Sequence, residues 1–134
     1  MNKTLLRKVK KQILEEPKRL DMGFFGMKVK PYSGGPRCGT VGCIAGWAVM
    51  LNHPEVIGAR LSEKRLDEFN NLIGRADVEG MKLLKITTDQ RDKLFYVANW
   101  PEPYRQQYSD AIDDRKARAE VTAKRIDYFI KTGE

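Results

Sequence analysis

With 134 residues, 41% of them hydrophobic, the chain has the size of one domain (1–134) and enough apolar residues to bury a core, which excludes a disordered or fibrous class. The net charge is +7; residues 1–37 carry ten Lys/Arg against three acids, and residues 38–134 carry fifteen of each sign, so the whole excess lies in the first quarter, a pattern that points to a polyanionic partner. No stretch reaches the ~20 apolar residues of a membrane span, the N-terminus lacks a secretory apolar region, and two cysteines are too few for a secreted disulfide framework, so the expected compartment is the reducing cytoplasm.

Leu5, Leu6, Val9, Ile13 and Leu14 fall at helical spacing. They predict an amphipathic helix of about four turns, capped by Thr4 or Asn2 and ended near Pro17. Its opposite face carries Arg7, Lys8, Lys10 and Lys11. Residues 23–37 are rich in glycine, proline and aromatics and read as a loop, with a short extended piece near 27–30. Thr40 is a good N-cap for a second helix over about 40–51, which Asn52-His53-Pro54 ends. That helix is apolar nearly all round, so it belongs at the centre of the fold. Gly42 and Gly46 would share one face of it, each at a cost of about 1 kcal/mol against alanine, which a close backbone approach by another element would explain.

The remaining chain predicts short helices. Ser62 caps one with Leu66, Phe69, Leu72 and Ile73 inward. Asp77 starts one or two turns with Met81, Leu83 and Leu84. Thr87 and Gln90 form a capping box before Leu94, Phe95 and Val97. Trp100-Pro101 breaks the chain, and Tyr104, Tyr108 and Ile112 suit another short helix. The last helix runs over about 113–131 with Gly133 as its C-terminal cap. The expected class is all-α: a bundle of about five to six helices around the apolar helix at 40–51.

Three features carry chemical potential. Cys38 and Cys43 stand at the start of the second helix, where free N–H groups lower a thiol pKa. The one histidine, His53, lies about 15 Å from Cys43 if the segment is helical, too far for a Cys–His pair, and Cys43 reads more simply as a small buried hydrophobe. No second Cys/His pair completes a metal site, and no cofactor motif is present. Arg37, Gly39, Thr40 and Gly42 surround the same helix start and form a candidate site for a small anion, although the glycines also suit a tight turn. Finally, Arg7, Lys8, Lys10 and Lys11, with Lys28 and Lys30 from the loop, are candidate polyanion contacts, of the phosphate type if the partner is a nucleic acid. No helix-turn-helix, zinc finger or RNA-binding signature accompanies them.

The run Cys38-Gly-Thr-Val-Gly-Cys-Ile-Ala-Gly46 resembles the mark of a family of small, uncharacterised bacterial and phage proteins. Softer marks are Pro17-Lys-Arg-Leu-Asp-Met22, the step Trp100-Pro101 and the ending Arg125-Ile-Asp-Tyr-Phe-Ile-Lys-Thr-Gly133. The resemblance implies a helical fold and a bacterial or phage source, and no activity.

The expected function is therefore non-enzymatic: a binding or regulatory protein whose basic N-terminal face meets a nucleic acid or an acidic protein surface. The alternative is a thiol-dependent or small-anion site at the start of the second helix.

Overall fold

A computed structural model of the chain describes residues 1–23, 27–28, 40–54 and 63–134, with the backbone alone at 27–28, 40–41 and 63–66. Seven α-helices follow one another among these residues: α1 (Lys3–Glu15), α2 (Ile44–Leu51), α3 (Glu63–Ile73), α4 (Ala76–Leu84), α5 (Thr88–Phe95), α6 (Tyr104–Asp110) and α7 (Arg115–Thr132). They are one or two more than the bundle of about five to six expected, and each corresponds to a helical segment read along the sequence. One two-residue antiparallel pair, β1 (Met27–Lys28) with β2 (Thr40–Val41), matches Met27 to Val41 and Lys28 to Thr40. The extended piece expected near 27–30 is thus seen at 27–28; residues 29–30 lie outside the described residues.

The short-range signals act as read. Asn2, not Thr4, caps α1 by accepting from Leu5 N at 3.0 Å, and the helix buries Leu6, Val9 and Ile13. Thr87 and Gln90 make both bonds of the capping box at α5. Asp114 caps α7, and Gly133 ends it in the left-handed region at φ 74°. Ser62 lies outside the described residues, but Phe69 and Ile73 of α3 are buried as expected. Ile112 is not: it follows α6 and is 67% exposed.

The second helix differs from expectation at its start. Thr40 is not the cap; it belongs to β2, and α2 begins four residues later at Ile44. The β-branched pair Thr40-Val41 suits an extended backbone, and two partners hold it extended. β1 pairs with 40–41, and Leu20 forms a parallel bridge with Gly42. Gly42 N donates to Arg19 O at 3.0 Å, and Asp21 N donates to Gly42 O at 3.0 Å. Cys43 is then the cap, its Sγ accepting from Gly46 N at 3.5 Å.

Gly42 therefore shares no helix face with Gly46. A close approach to α2 is made by α4: a Cβ on Gly80 would stand 3.2 Å from Ala45 O and 3.4 Å from Ala45 Cα. Every residue of α2 from Ile44 to Met50 is buried. α1 lies antiparallel to α7, since Lys10 meets Asp127 while the Lys18 carbonyl accepts from Arg115. Trp100 and Tyr108 meet edge to face at 5.4 Å, and the Trp100 indole donates to Leu94 O at 2.9 Å.

Gly80→Ala tests the α2–α4 approach. Alanine gains about 1 kcal/mol in helix propensity, but the atom it meets is backbone, which cannot give way cheaply, and overpacking costs about 1–3 kcal/mol. The expected outcome is a net loss of about 1 kcal/mol and a lower urea midpoint at unchanged slope.

Candidate functional site

At the entrance of α2, the side chain of Cys43 is spent on the structure. It is 2% exposed, and burial pushes its thiol up from 9.0 to about 11, against the backbone N–H groups of Gly46 and Ala45, which pull it down. A helix start normally acidifies a thiol; here desolvation outweighs the dipole, and a thiol that stays protonated at neutral pH is a poor nucleophile. His53 follows the far end of α2, whose eight residues from Ile44 to Leu51, about 12 Å of helix, stand between it and Cys43.

The four residues of the expected anion site are not brought together as a cradle. Arg37 and Gly39 lie outside the described residues, as does Cys38. Thr40 sits in β2, and the Gly42 N–H that an anion would need already serves Arg19 O. Among the described residues no group of three His, Cys, Asp or Glu is placed to hold a metal ion.

What the entrance does hold is Arg19, a residue whose role sequence reading missed. It is 4% exposed. Its carbonyl accepts from the Trp47 indole at 3.0 Å, its guanidinium lies 4.8 Å from the Trp47 ring centre, and its Nη1 meets Glu16 at 3.0 Å. This cation–π contact with an ion pair behind it fixes the turn at 17–19 onto the buried helix. Arg125 was likewise missed. Fully buried, it donates through Nη2 to Lys93 O at 2.8 Å and to Glu134 O at 2.6 Å, and burial pulls its pKa down. The only sequence signal for Arg125 was an arginine inside the apolar stripe of α7.

The second candidate is the outer face of α1. Lys3, Arg7, Lys8 and Lys11 are exposed there. Among the described residues Lys3, Arg7 and Lys8 make no ion pair, and Lys11 meets Glu15 only at 3.7 Å. Lys10 departs from the expectation of a free contact: both carboxylate oxygens of Asp127 hold its Nζ, at 2.8 and 2.7 Å. Lys28 has its backbone in β1, and Lys30 lies outside the described residues. Beside the cations, Arg7, Lys10, Lys11, Leu14 and Glu15 line a concavity of about 440 Å³.

No protein-family model, curated protein or solved structure is matched by this chain. No helix among the described residues is long and apolar enough to cross a membrane.

With Cys38→Ser leaving Cys43 as the lone thiol, labelling by a disulfide reagent at pH 7.5 is expected to run at least about 100-fold slower in the folded protein than in denaturant, following the smaller thiolate fraction and the burial. Because the folded pKa lies above the unfolded one, the thiol's contribution to stability is complete below pH 9 and is lost as the pH climbs through about 11. Fast labelling of the native protein at neutral pH would contradict this site geometry.

Proposed function

We propose that this chain is a non-enzymatic binding protein of the cytoplasm, which meets an anionic macromolecule through the exposed outer face of α1. One observation carries the reading. α1 has no acidic residue in its first turn and no basic residue in its last; Lys3 stands at the positive end of the helix and Glu15 at the negative end. The macrodipole favours the reverse arrangement, by about 0.3–1 kcal/mol per charge. Lys3 is thus an exposed cation that the helix disfavours, and Arg7 and Lys8 beyond the first turn are exposed cations that make no ion pair among the described residues; contact with a partner gives all three a use. Phosphates of a nucleic acid and carboxylates of an acidic protein are the two sources of such a surface.

The alternative, a thiol or small-anion site at the start of α2, has less support, because the Cys43 thiol and the Gly42 N–H are both engaged within the chain. The likeness of residues 38–46 to a family of small bacterial and phage proteins belongs to the proposal too, and it adds no activity.

The test is a titration by fluorescence anisotropy with about 20-bp duplex DNA, RNA of the same length and polyglutamate, at about 50 and 200 mM salt. Affinity is expected to fall steeply with salt. The variant K3Q/R7Q/K8Q should lose at least about tenfold in affinity for whichever probe binds and, for a nucleic acid, should flatten the log–log salt slope by about 2–3. Its melting temperature should stay level or rise slightly, since Lys3 no longer opposes the helix dipole and Arg7 and Lys8 are exposed. Absence of binding to all three probes at low salt would overturn the reading.

A further inference from the structure

The outer face of α1 is more than a row of charges. At about 100° per residue, Lys3, Arg7, Lys10, Lys11 and Leu14 lie together, centred about 110° round the helix from the buried Leu6, Val9 and Ile13. Leu14 is 41% exposed and lies among Arg7, Lys10 and Lys11 on the wall of the 440 Å³ concavity. Long cationic side chains present methylene stems as well as charge, so this depression offers an apolar floor with positive groups along its edge.

Two carboxylates stand in the same neighbourhood. Asp127 grips Lys10 through both oxygens, and Glu15 lines the concavity beside Lys11. A phosphate backbone brings one negative charge at every step and would meet both. A protein segment can place its carboxylates selectively and turn an apolar side chain to the floor.

We infer that this concavity docks an acidic segment of a partner protein, which seats one apolar side chain on Leu14 and sets its carboxylates against Arg7 and Lys11. The inference rests on the reading of α1 given above and names the partner for it. Charge complementarity selects the occupant. Arg7, which makes no ion pair among the described residues, and Lys11, held only loosely by Glu15 at 3.7 Å, present donors to a carboxylate, Arg7 with the planar fork that takes one bidentately, while the tethered Lys10 forms a fixed wall. An amphipathic helix laid into such a groove reads as apolar anchors at i and i+3 or i+4 with acids alongside.

The test uses the full chain and a synthetic helical peptide with leucine at i, i+4 and i+7 and glutamate between, with its Leu→Ser counterpart and about 20-bp duplex DNA as comparisons. The leucine peptide should bind at least about tenfold more tightly than the serine peptide, with a shallower salt dependence than any DNA binding. Leu14→Ser should weaken the leucine peptide by about fivefold or more while leaving the melting temperature within about 2 °C, because the side chain is exposed in the free protein. Arg7→Gln should weaken both peptides. Equal binding of the two peptides overturns the inference. Tighter, steeply salt-dependent binding of DNA also overturns it but leaves the anionic-partner reading standing. A dimer that Leu14→Ser dissolves assigns the groove to a second copy of the chain and overturns it as well. Failure of every probe removes both.

Discussion

The fold is organised by the fact that α2 has no side to give to water. From Ile44 to Met50 every residue is buried, so the chain must wrap that one helix from several directions. α4 closes on it through Gly80, where even a methyl group would press on Ala45. α1 adds Leu6, Val9 and Ile13, α3 adds Phe69 and α5 adds Phe95 to the same cluster. The helix carries one polar side-chain atom at its centre, the Trp47 indole nitrogen, and the Arg19 carbonyl satisfies it. Burial also constrains the cap. An aspartate at position 43 would bring a charge into the core, at a desolvation cost of several kcal/mol. A thiol is a weaker acceptor than a carboxylate or hydroxyl, but it enters an apolar surrounding cheaply.

The cations divide according to the same core. Arg19 and Arg125 are buried and hold carbonyls, carboxylates or rings with their guanidinium groups or backbones. Both are arginines, whose planar, weakly hydrated head suits such places better than an ammonium. Lys10 is intermediate, 31% exposed and tied to Asp127. The cations left to solvent on α1 are Lys3, Arg7, Lys8 and the loosely paired Lys11. The charge excess of the first quarter of the chain is therefore a mixture: part of it ties the chain to α2 and α7, and part faces outward.

Short-range chemistry was legible in the sequence, and long-range pairing was not. The capping box at Thr87 and Gln90, the glycine after α7 and the Leu6–Val9–Ile13 stripe each depend on residues a few positions apart. Thr40 misled because threonine serves equally as a helix cap and as a strand residue. What decided between them was pairing with Met27–Lys28 and a bridge involving Gly42 and Leu20, contacts that no local pattern encodes. The glycine that makes a close approach to α2 lies on α4, at Gly80, where no local pattern marked it. The site shows the same division. The basic face of α1 was readable, but the loss of Lys10 to Asp127 spans 117 positions. Leu14 counted as part of the apolar stripe although it stands about 100° from Ile13, far enough round the helix to leave the core.

Gln90 shows how a local device acquires a distant role. Its side-chain oxygen accepts from Thr87 N and completes the start of α5, while its nitrogen donates to Gly133 O beyond the end of α7, at 3.1 Å. Lys93 and Arg125 reach Glu134 beside it. The first turn of α5 and the last turn of α7 are consequently one mechanical unit: fraying of either releases bonds that hold the other. Helix ends ordinarily open independently and exchange their amide hydrogens early; tied to each other, these two are expected to open together and to exchange their amides as one group.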